Sequence, residues 1–80
     1  MISCQVSLYP LGTPEYTKII KEALASLPEG RVQVEVNPMS TIIRGDEEEV
    51  WQAAQTLFKA ASQGGEVVMV MTISNRCGCR

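Results

Sequence analysis

Histidine is absent from the 80 residues, which removes the commonest general base of enzyme active sites. Aromatic residues are scarce: one Trp, two Tyr and one Phe. Sequence-reading RNA modules stack bases on two or three strand aromatics, and the strands assigned below offer only Tyr9. Three cysteines, an odd number without framework spacing, do not make a disulfide scaffold and suit a reducing compartment. Neither sign of charge dominates. Seven basic against nine acidic residues give a net charge of −2 and a pI near 5.0, with no broad pull toward nucleic acid or anionic membrane. No apolar run approaches the roughly 20 residues that span a bilayer. The opening "MISCQVSLYP" lacks the basic region and apolar core of a signal peptide. The expected location is therefore cytoplasmic. A glycine-rich phosphate loop is missing too, because "LYPLGTPEY" has one glycine and no lysine. Together these absences argue against an enzyme.

What is present is a regular alternation of patterns. "ISCQVSLY" places Ile2, Cys4, Val6 and Leu8 on one face and Ser3, Gln5, Ser7 and Tyr9 on the other, the period of a half-buried strand. Pro10 and Gly12 stop it. Thr13 before Pro14 suits an N-cap with proline at the first helical position. Ile19, Ile20, Ala23, Leu24 and Leu27 then recur at helical spacing until Pro28 and Gly30. "RVQVEVN", residues 31–37, alternates again, "NPMS" makes a tight connection, and "STIIR" is a third strand ending at Gly45. A second helix follows, with Val50, Ala54, Leu57, Phe58 and Ala61 on its apolar face. "EVVMVMTIS" is a fourth strand, apolar on both faces for much of its length.

The acidic run Asp46-Glu47-Glu48-Glu49 reads as a helix start. Asp46 and Glu49 have capping-box spacing, and negative charge in a first turn suits the helix dipole. A cation site needs carboxylates converging from several directions, whereas these fan out around one turn. Cys77-Gly-Cys79 supplies two soft ligands on a tail, half of a structural zinc set. Cys4 alternates with Val6 and is expected as a small buried hydrophobe. Trp51 is expected at a helix edge or a subunit contact, and Met39, Met69 and Met71 as core or interface filler.

The order β-α-β-β-α-β is the split βαβ, or ferredoxin-like, arrangement of the α+β class. Right-handed crossovers put both helices on one face of a four-stranded antiparallel sheet. The expected organisation is one domain over residues 1–75 and a tail over 76–80. The open face carries Ser3, Gln5, Ser7, Tyr9, Gln33 and Glu35, with either Val68 and Val70 or their neighbours. Such a half-polar face binds something or packs on another subunit. Other users of this topology fail on residues. The loop after the first strand, Pro10 to Pro14, has neither the C-x-x-C of small copper chaperones nor the basic anion cradle of acylphosphatases.

"CQVSLYPLGTPEYTKII" resembles the opening of the thiamine-binding, YkoF-like family of small ferredoxin-like proteins. "MSTIIRGDEEEVWQAAQTLF" is similar to its middle signature: a threonine strand, a glycine, an acidic residue, then a helix. The resemblance runs to about Ser74 and does not include the Cys77-Gly-Cys79 tail. It implies non-catalytic binding of thiamine or its hydroxymethylpyrimidine precursor, with a link to thiamine salvage or transport. It also implies dimers or higher oligomers, so a homodimer or homotetramer is expected for a single unit. No cofactor is expected beyond the ligand. An aminopyrimidine has a flat apolar face and a hydrogen-bonding edge, which a pocket selects with few polar groups on an apolar floor. Gln5, Ser7, Asn37, Ser40 and Thr41 are candidates for the edge, Met39 and Tyr9 for the face, and Glu35 for a thiazolium cation. The face of Thr41 is open at this stage, because Ile42 and Ile43 blur the alternation. Two rival classes remain: an oligomeric regulatory or scaffold domain without a small ligand, and metal handling through the C-terminal cysteines.

Overall fold

The computed structural model describes residues 1–27, 30–37 and 39–76. The elements are β1 (Ile2–Pro10), α1 (Tyr16–Ala25), β2 (Gln33–Val36), β3 (Thr41–Gly45), α2 (Glu47–Ala61), a short 3-10 turn (Ser62–Gly64) and β4 (Val67–Ser74). The strands form one antiparallel sheet in the order β2-β3-β1-β4. This is the ferredoxin-like arrangement expected from the periodicity, with both helices against one face.

Alternation decides the layers. Ile2, Cys4 and Val6 of β1 and Ile43 of β3 are buried beneath the helices, joined by Ala23 within α1, by Leu27 just after it, and by Val50, Ala53, Leu57 and Ala61 from α2. β4 contributes Val67, Met69, Met71 and Ile73 to this side, while Val68 and Val70 face the open side, 45% and 53% exposed. β3 resolves its ambiguity in the same way. Thr41, Ile43 and Gly45 are buried, and Ile42 and Arg44 alternate with them on the open face. Gly45 is needed because a Cβ there would meet the Val32 side chain at 3.1 Å. The chain entering β2 crosses close over the end of β3.

Several local expectations are revised. Thr13 is not the N-cap of α1. The helix starts at Tyr16, and the Thr13 hydroxyl accepts the Glu15 N–H at 3.1 Å, closing the turn before the helix. Asp46 does stand at the N-cap of α2, with Glu47, Glu48 and Glu49 in the first turn. No side-chain capping bond forms, however, so the capping box is absent, and Glu49 reaches Arg31 instead at 3.4 Å. Phe58 is 42% exposed, and Ala53 takes the core position expected of it. Both follow from the width of a helical stripe: α2 packs on the sheet through small residues, and the bulky ring lies outside. β2 is shorter than residues 31–37, because Arg31 and Val32 lie in the turn before it. Met39 is 87% exposed and is no core filler. Cys4 is buried as expected, and burial pushes its thiol pKa up. Cys77 and Cys79 lie outside the described residues.

Candidate binding cleft at the open end of the sheet

The register of β1 creates the site. β1 pairs with β4 from Ser3 to Pro10, but with β3 only from Ile2 to Val6, where Val6 lies opposite Thr41. Just before β3 the Asn37 N–H donates to the Ser40 carbonyl at 2.8 Å, which closes the connection from β2. Residues 7–10 of β1 therefore project past the β2–β3 turn with a strand on one side only. The notch is closed on the helix side by the start of α1.

A cleft of about 300 Å³ occupies this notch. That is the lower end of the range for small-molecule sites. Ser7 and Tyr9 line it from β1, and Asn37, Met39, Ser40 and Thr41 from the turn and the start of β3. Six of the eight candidate residues are thus brought together. The Ser7 hydroxyl points to the Met39 carbonyl at 3.5 Å, tying the projecting strand loosely to the turn. Thr41 is 8% exposed, and among the described residues no hydrogen bond engages its hydroxyl, so the group is available to the cleft. The apolar floor comes from Val6, Leu8 and Leu57, and Tyr16 and Ile20 form the α1 wall.

Two candidates stand apart from the cleft. Gln5 faces the open side of the sheet, opposite Ile42 and Thr72, and lines a separate shallow depression with Ser3, Arg44 and Arg76. It lies on the same face as Ser7 but one row inside the notch, where β3 already covers that flank of the strand. Glu35 is not a cation partner for the cleft either. It lies on the open face within 3.3 Å of Arg44. Tyr16 and Ile20 were not anticipated as site residues. The sequence did carry a signal for them, since a tyrosine and an isoleucine four apart in a first helical turn share one face. Among the described residues the lining contains no charged side chain. Among the described residues no three His, Cys, Asp or Glu side chains are placed to hold a metal.

The sequence profile of the group described as the YKOF-related Family matches residues 1–80. The chain belongs to this family. A Bacillus subtilis (strain 168) protein named "Putative HMP/thiamine-binding protein YkoF" is 33% identical over 72 residues, covering 89% of this chain and 36% of that protein. The chain thus spans about a third of the length of this relative. Two solved structures share the fold at a TM-score of 0.79. A hypothetical protein from Methanocaldococcus jannaschii is 26% identical, over 99% of this chain and 84% of that one. A Thermotoga maritima protein described as a "putative thiamine biosynthesis/salvage protein" is 18% identical, over 94% of this chain and 83% of that one.

Proposed function

We propose that this YkoF-related chain binds, without catalysis, the aminopyrimidine of thiamine or of its hydroxymethylpyrimidine precursor, in service of thiamine salvage or transport. The supporting observation is the notch itself. Ser7, Asn37, Ser40 and Thr41 line it together with an apolar floor, and Tyr9 and Tyr16 border it. The name of the B. subtilis relative points to the same ligand class. An uncharged lining suits the neutral pyrimidine, because a charge moved from water into a cleft without a counter-charge is costly. The thiazolium of thiamine then has only ring faces to meet it. Hydroxymethylpyrimidine is expected to bind at least as tightly as thiamine. Titration calorimetry with both compounds tests this. Heat with neither would leave a scaffold domain as the better reading, and heat with thiamine alone would reject the neutral-edge account.

Association with a second copy is part of this reading. β4 is an edge strand of eight residues with no charge and no proline, which leaves it without the usual protection against pairing. Apolar surface continues on both sides of that edge. Val68 and Val70 lie on the open face, and Trp51 and Phe58, each 42% exposed, flank a groove of about 390 Å³ beside Met69 and Met71. Antiparallel pairing of β4 with β4 of a second copy lays this strip on itself. The strand is about 27 Å long, and the molecule is 21 × 16 Å in its shorter extents. The footprint is then on the order of 500 Å² per protomer, near the lower bound of stable interfaces. Sedimentation is expected to show a dimer or tetramer at micromolar concentration, and Val70→Lys a folded monomer. A wild-type monomer would reject this interface and leave the ligand reading intact.

A further inference from the structure

The wall of the cleft is a strand, and its main chain adds groups to those of the side chains. Leu11 donates its N–H to the Glu66 carbonyl at 3.0 Å, and β1 runs from there in one-to-one register with β4. In an antiparallel ladder alternate residues turn both main-chain groups toward the same neighbour. Leu11, Tyr9 and Ser7 therefore face β4, and Leu8 and Val6 face the other way. The turn gives an independent check. Asn37 and Ser40 bond to each other, so Thr41, one residue on, faces β1 and meets Val6. Leu8, two residues beyond Val6, has no β3 residue opposite it, and among the described residues no main-chain bond joins it to the turn. Its side chain packs toward the core, and the residue lines the cleft.

We propose that the Leu8 main-chain N–H and C=O read the edge of the ligand, making the cleft selective for rings that carry a ring nitrogen next to an exocyclic amine. This rests on the heterocycle reading given above. The ring nitrogen accepts the Leu8 N–H, and the amine donates to the Leu8 carbonyl. The ring thereby pairs with Leu8 beyond the point where β3 ends, as an added strand does at a sheet edge. The two groups are held by the ladder with β4 and by the partly buried Leu8 side chain, and main-chain groups lose no rotamer freedom on binding. A ring without the nitrogen leaves the N–H facing an apolar atom, and the lost partner is penalised more than the bond was worth.

The test pairs two proteins with two probes. One protein is wild type, and the other carries α-hydroxyleucine at position 8, an ester in place of the amide that removes the N–H and keeps the side chain. The probes are hydroxymethylpyrimidine and its aniline analogue with both ring nitrogens replaced by CH, titrated at a pH where both are neutral. Wild type is expected to prefer the pyrimidine by about tenfold, and the ester protein to lose most of that preference while binding the aniline about as before. Retention of the full preference by the ester protein would overturn the proposal. Wild-type protein gives a second measurement that needs no substitution. The Leu8 amide is expected to exchange with solvent faster than those of Ser7 and Tyr9, and to become protected when the pyrimidine saturates the site. An unchanged Leu8 amide at saturation would also overturn it. No wild-type binding of either probe would instead reject the heterocycle reading itself.

Discussion

The two ends of the sheet are built from the same strands and do opposite things. At one end Gln33, Arg44, Ser3 and Ser74 lie in a row across all four strands, and the layer beneath holds Ile2, Cys4 and Ile43. The two inner strands there are paired on both sides, and the helices cover the apolar face. At the other end β1 continues for four residues after β3 has turned away, leaving Ser7 to Pro10 paired with β4 alone. A fully paired row gives burial and stability. An interrupted row leaves a strand flank without a β3 partner beside an apolar floor, and this is where the candidate cleft lies. Disturbing the two ends should therefore have separable consequences.

The largest effect is expected at the closed end. Ile43 is fully buried, and Ile43→Ala should cost about 2–5 kcal/mol. Small domains have little margin, so thermal melting should show a large loss or no transition. If Ile43→Ala instead melted near wild type while weakening ligand binding, the division between the ends would be wrong.

Next comes the notch. Thr41→Val keeps the shape and removes the hydroxyl, so pyrimidine affinity should fall about three- to tenfold with stability changed by less than about 1 kcal/mol. Gln5→Ala should leave binding unchanged, since Gln5 lies outside the cleft. Calorimetry on the two variants sharpens the comparison, and a larger loss from Gln5 would move the site onto the open face.

Cys4 tests the closed end by titration. Its thiol pKa is raised by burial above the ordinary 9.0, so the folded state disfavours the thiolate. The unfolded chain ionises first as pH rises. Stability should be level below the ordinary thiol value and should fall as pH climbs from there toward the raised folded value. Cys4→Ala should flatten this alkaline slope, and an unchanged slope in urea melts at increasing pH would show that another group is responsible.

The smallest effect belongs to Asp46. It makes no side-chain capping bond, so only its charge at the helix start is lost in Asp46→Ala. The expected cost is about 0.3–1 kcal/mol, and it should shrink with added salt. Calcium should not alter the melting temperature.

Much of this was legible along the chain. Period-two alternation in residues 2–9 and helical spacing in residues 50–61 fixed the elements and their inward faces, because one residue's position on a strand or helix sets the direction of the next. Exceptions arose where a side chain had alternatives. Asp46 and Glu49 have capping-box spacing, but Arg31 draws Glu49 away, and an ion-pair partner 18 residues distant leaves no mark in local spacing. Phe58 fits an apolar stripe that the helix, packing through Ala53 and Ala54, does not use for its ring.

The sequence by itself determined the order of elements, the buried face of β1 and the presence of polar residues at the ends of β1 and in the β2–β3 turn. Only the tertiary structure decided that Thr41 faces inward, that Gln5 stands apart from Ser7, and that Tyr16 joins the site. The reason is register. Alternation says which face a residue takes, but not which residue of another strand lies opposite it. The cleft depends on where β3 stops alongside β1, and that is set by the pairing of Val6 with Thr41 across 35 residues of chain.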